Sequence, residues 1–79
     1  MFIVTQNDAI LNMDKTTHIY LAHYKGNKSI VKCQMEGFDF DIYEGTKEDA
    51  EGAFYTIKEG LIKGAAMVDF TPLEGINND

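Results

Sequence analysis

The sequence predicts an α+β fold: an antiparallel β-meander of three to five strands with one amphipathic helix packed on one face. Three observations carry this. The segment Phe38-Asp39-Phe40-Asp41-Ile42-Tyr43 alternates apolar and polar residues strictly, the period of a strand with one buried and one wet face. Directly after it, Ala50, Ala53, Phe54, Ile57 and Leu61 recur at steps of three and four, the stripe of an amphipathic helix. Upstream, two strand-like runs flank Gly26-Asn27, a pair that tolerates the positive φ of a tight hairpin turn.

Phe2-Ile3-Val4-Thr5 reads as a first strand that ends in the turn-forming Gln6-Asn7-Asp8. Ala9 to Met13 is a short apolar continuation that pairs back onto it. In the hairpin, Thr17–Tyr24 turns its Ile19 and Leu21 inward and His18, Tyr20 and Ala22 outward. Ser29–Glu36 turns Val31, Cys33 and Met35 inward and Lys32 and Gln34 to water. After the turn at Glu36-Gly37, Phe38, Phe40 and Ile42 face the core, and Asp39, Asp41 and Tyr43 face water. The helix spans about 46–63. Thr46 caps it by accepting from the Asp49 amide, Glu48 and Asp49 favour its positive end, and Gly64 closes it in the left-handed conformation. Gly52 and Gly60 each cost about 1 kcal/mol relative to alanine in such a helix; each marks either close approach to the sheet or a cost that is merely tolerated. Residues 65–70 form a short edge strand or an ordered cover over the core. Pro72 stops any longer ladder, and residues 75–79 fray.

The 79 residues make one domain, 1–79, with room for a single core. One cysteine excludes an internal disulfide and suits a cytoplasmic, reducing setting. The start MFIVTQND lacks the basic lead-in and long apolar run of a signal peptide. No stretch reaches the roughly 18 apolar residues of a membrane span. Net charge is −6 and there is no arginine, so direct nucleic-acid binding is disfavoured. That charge is arranged in blocks. Lys15 to Lys32 holds four lysines and no acid, whereas Glu36 to Glu51 holds seven acids against Lys47 alone.

No nucleophile triad, metal-ligand spacing or phosphate-binding loop is present, so the expectation is a non-enzymatic chain with no cofactor, metal or catalytic residue. His18 and His23 are five apart on a strand and point to opposite faces. Cys33 reads as a buried structural thiol. What remains is a surface. Tyr20, Asp39, Asp41 and Tyr43 on the outer sheet face, with Glu44, Glu48 and Glu51 in the acidic seam, are the candidate partner-binding residues.

The opening Met1–Asn7 (MFIVTQN), Leu11–Asp14 (LNMD), and Tyr43–Ala50 (YEGTKEDA) before a helix with Phe54 and Ile57 resemble a group of small uncharacterised proteins of Gram-positive bacteria, their phages and mobile elements. The likeness covers Met1 to Lys63. The Tyr20–Tyr24 hairpin arm and the apolar tail after Gly64 depart from it. The resemblance implies a fold and a genomic setting, and it carries over no catalytic residue. The expected function is therefore a phage- or mobile-element-associated accessory factor that binds another protein, from host or phage. Two alternatives are an acidic inhibitor imitating nucleic acid in the groove of a nuclease or regulator, and a structural homo-oligomer, a homodimer at its simplest, joined through an edge strand or the outer sheet face.

Overall fold

The structure, a computed structural model, describes residues 1–71; Pro72 and the expected fraying at 75–79 lie outside the described residues. Six strands and one long helix follow in the order β1 (Phe2–Val4), β2 (Ile10–Asn12), a 3₁₀ turn (Met13–Lys15), β3 (Thr16–Tyr24), β4 (Lys28–Met35), β5 (Phe38–Thr46), α1 (Lys47–Lys63) and β6 (Met67–Asp69). The meander β3-β4-β5 is antiparallel throughout, as the alternation predicts. Its turns carry the expected backbone: Gly26 (φ 73) and Asn27 (φ 63) in one, Glu36 (φ 53) and Gly37 (φ 84) in the other. A two-residue turn with both φ positive matches the twist of the strands that it joins.

The remaining strands form a second sheet. The expected pairing of β1 with β2 and the expected short strand within 65–70 are both present, but their union in a sheet separate from the meander is not revealed by the sequence. β1 pairs antiparallel with β2 on one side and parallel with β6 on the other. Its inward residues Ile3 and Leu11 join Val31, Cys33 and Ile42 of the meander and Ala50, Ala53 and Ile57 of α1 in one core. Helix and small sheet together therefore cover a single face of the meander.

The helix behaves as its caps require. The Thr46 hydroxyl accepts from the Asp49 amide at 3.1 Å, and Gly64 adopts φ 72 while its amide donates to Gly60 and Leu61 carbonyls. The two interior glycines separate cleanly. A Cβ on Gly60 would stand 3.1 Å from Val68 Cγ2 and 3.4 Å from Met1 Sδ, whereas one on Gly52 would meet nothing within 4 Å. Gly52→Ala should therefore raise stability by about 0.5–1 kcal/mol through helix propensity. Gly60→Ala should lose that gain to the clash with β6. Thermal unfolding followed by circular dichroism separates the two.

One irregularity redirects the site. Val31 pairs with Tyr43, but the next residue, Lys32, pairs with Asp41, leaving Ile42 as an extra residue on β5. Such a bulge breaks the two-residue alternation. Ile42 is buried and Tyr43, opposite the inward Val31, packs against the core. The expectation of an outward Tyr43 is thus overturned. Its ring lies 5.8 Å from that of Phe70 and covers Gly45, where a Cβ would come within 3.0 Å of Tyr43 Cε1.

Gln6 closes the bulged edge. Its backbone amide donates to the Ile42 carbonyl (3.0 Å), its Nε2 donates to the Glu44 carbonyl (3.1 Å), and its Oε1 accepts from the Glu44 amide (3.0 Å). The carboxamide supplies a donor and an acceptor where a neighbouring strand would otherwise do so.

Candidate functional site

The open face of the meander is built from three cross-strand rows: His18–Gln34–Asp39, Tyr20–Lys32–Asp41 and Ala22–Ile30–Glu44. Register brings oppositely charged side chains within reach. Lys32 Nζ lies 2.6 Å from Asp41 Oδ1, and Lys28 Nζ lies 3.3 Å from Glu44 Oε2. The hydrogen bond that Lys32 donates to Asp41 holds its ammonium above its ordinary pKa, while partial desolvation and the adjacent Asp39 raise the Tyr20 phenol. The rings of His18 and Tyr20 are 5.2 Å apart, and Lys28 lies over Tyr24 at 5.8 Å. Ile30, between Ala22 and Glu44 on this face, is only 6% exposed, although helix and small sheet leave the face open.

Of the seven candidate residues, four share this face: Tyr20, Asp39, Asp41 and Glu44. Tyr43 is on the opposite side of the sheet because of the bulge. Glu48 and Glu51 sit on the first turns of α1, also across the sheet from Asp39 and Asp41. The seven do not form one surface. The basic and acidic blocks of the sequence attract one another within the sheet, as neighbours on β4 and β5.

An exposed apolar surface lies elsewhere. Phe38 and Phe40 are on the core side of the meander, opposite Met35 and Cys33, yet Phe38 is 69% exposed and Phe40 also reaches solvent. Their expected burial fails because α1 starts at the far end of β5 and its last turns, at Lys58 and Leu61, lie beside Thr16 and Ile19 of β3, leaving the tip of the β4–β5 hairpin uncovered. Opposite that tip stands β2, whose Ile10 is 65% exposed. Between them runs a groove of about 250 Å³, walled by Ile10, Leu11, Met35, Phe38 and Phe40, with Lys15 and Glu36 among its polar lining residues. The position of Phe38, directly after a two-residue turn, is the sequence signal that marks it as a hairpin tip.

Other chemistry-bearing groups are held structurally. Ser29 is buried and its hydroxyl lies 2.7 Å from His23 Nδ1, so the hydroxyl is closed to a substrate. Cys33 is fully buried, and desolvation raises its thiol pKa. Because the folded thiol keeps its proton to higher pH than the unfolded one, this residue's contribution to stability falls as pH rises past the ordinary thiol range. A thiol reagent at pH 8 should label Cys33 slowly in the native chain and fully in urea; fast native labelling would contradict the burial. Among the described residues no three His, Cys, Asp or Glu side chains gather as a metal site, and no helix is long and apolar enough to cross a membrane. No protein-family model, curated protein or solved structure matches the chain.

Proposed function

We propose that the chain is a non-enzymatic protein-binding module, an accessory factor that docks a host or phage protein in the groove between β2 and the β4–β5 hairpin. A reducing, cytoplasmic setting suits its single buried free thiol. The observation that carries the reading is the exposure of Ile10 and Phe38 on facing walls of one groove. Large apolar side chains gathered in a concave patch gain most from being covered by a partner, and aromatic anchors dominate such interfaces. The partner segment is apolar at its centre, with polar ends matching Lys15 and Glu36. Charge mimicry of nucleic acid is less well supported, since Asp41 and Glu44 are already paired with lysines.

The test is affinity capture with the full chain as bait. Ile10→Glu/Phe38→Glu should lower recovery of a bound protein at least tenfold, because two carboxylates would be desolvated in the contact. Tyr20→Ala on the open face should leave recovery unchanged. Equal recovery by the groove variant, or no protein above background with the wild-type chain, would overturn the reading.

A further inference from the structure

A second surface lies apart from the groove, where the free edge of β3 runs beside α1. β3 is nine residues long and, among the described residues, pairs only with β4. Edge strands are ordinarily guarded by charge, proline, a bulge or a covering segment. β3 has a bulge at Thr17, but from His18 to Tyr24 it is regular and contains no Lys, Arg, Asp, Glu or Pro. Its backbone edge is open to another strand.

The helix flank above that edge is apolar as well. Ala50, Ala53 and Ile57 occupy the core side of α1. Beside it lie Phe54, Tyr55, Leu61 and Ile62, a second stripe in which Phe54/Leu61 and Tyr55/Ile62 are each seven residues apart, the two-turn repeat that lets two helices pack along a seam. Leu61, expected in the core stripe, is on this flank because the core side of α1 is filled by Ala50, Ala53 and Ile57. Tyr55, Leu61 and Ile62 are exposed, the last at 75%. Between this flank and β3 is a cleft of about 360 Å³ lined by Thr16, Ile19, Phe54, Ile57, Lys58 and Leu61.

The charges on the flank indicate what covers it. Glu51 precedes the stripe and Lys58 lies within it, seven residues on, and neither takes an ion pair among the described residues. A copy of the same helix running antiparallel, with Phe54 and Tyr55 at the crossing, sets each Glu51 against the other's Lys58. A two-fold axis perpendicular to the meander makes the helices antiparallel and joins the two β3 edges antiparallel at the same time. One symmetry operation therefore satisfies the bare edge, the apolar flank and both charges.

We propose that this surface is the interface of a two-fold homodimer, in which β3 pairs with β3 of a second copy to form a six-stranded sheet and the two α1 helices pack side by side over the joint. The experiment is size-exclusion chromatography with light scattering on the full chain, with circular dichroism to confirm that each variant is folded. The wild-type mass should be twice 8.9 kDa. Glu51→Lys and Lys58→Glu should each raise the dimer dissociation constant roughly tenfold or more by juxtaposing like charges. The double exchange Glu51→Lys/Lys58→Glu should restore dimerisation. A wild-type mass of 8.9 kDa at millimolar concentration, or a dimer indifferent to the single exchanges, or failure of the double exchange to restore it, would overturn the interface. The groove variants at Ile10 and Phe38 should leave the mass unchanged, so this result and the partner-capture result fail independently.

Discussion

Ile57→Ala should lower the free energy of unfolding by about 2–5 kcal/mol, which at its upper end brings the chain to the edge of unfolding at room temperature. Ile57 is 1% exposed and sits in the core cluster with Ile3 from the small sheet and Val31, Cys33 and Ile42 from the meander. Truncating it opens a cavity at the junction of the two sheets and the helix. The small residues beside it, Ala50 and Ala53, cannot fill that cavity. A chain of this length buries only about 60% of its unfolded surface, and small domains hold a margin of about 5 kcal/mol at the lower end. Urea titration followed by circular dichroism reads the effect directly. A loss below about 1 kcal/mol would show that α1 is not held by this contact.

Tyr43→Ala should cost about 2–3 kcal/mol, whereas Tyr20→Ala should cost less than about 1 kcal/mol. The contrast follows from the bulge alone. Both tyrosines lie on strands of the meander, and both belong to the outer face under unbroken alternation. With Ile42 as the extra residue, the Tyr43 ring packs on Phe70 and over Gly45, while Tyr20 lies across the sheet beside His18, Lys32 and Asp39. Equal costs at the two positions would mean that alternation continues through Ile42 and that the register of β5 is wrong.

Where a structural choice depends on neighbours a few residues apart, the sequence reveals it. The hairpin at Gly26-Asn27, the Thr46 cap, the Gly64 stop and the inward set Ile19, Leu21, Val31 and Cys33 all follow from local turn chemistry or strand period. So does the pairing of β1 with β2. What escapes is set by contacts distant along the chain. Nothing around Asp41-Ile42-Tyr43 marks a bulge, because the backbone groups it frees are satisfied by Gln6, over thirty residues away. The parallel partnership of β1 with β6 joins the two ends of the described chain and has no local signal.

The candidate site was legible only in part. Tyr20, Asp39, Asp41 and Glu44 do share a face, since they depend on strand period and on the turn at Glu36-Gly37. Tyr43 was lost to the bulge, and Glu48 and Glu51 to the helix crossing on the other side of the sheet. The groove was missed because alternation assigns Phe38 and Phe40 to the covered face without stating how far the cover extends. A 17-residue helix is about 25 Å long, and its path toward β3 leaves the hairpin tip bare.

The central claim, that the tip of the β4–β5 hairpin presents an uncovered apolar groove while Tyr43 turns inward, is tested most directly by NMR with a soluble paramagnetic relaxation agent. The ring signals of Phe38 and the methyl signals of Ile10 should broaden strongly, and those of Ile42 and Tyr43 should be largely protected. Protection of Phe38 together with strong broadening of Tyr43 would contradict the account.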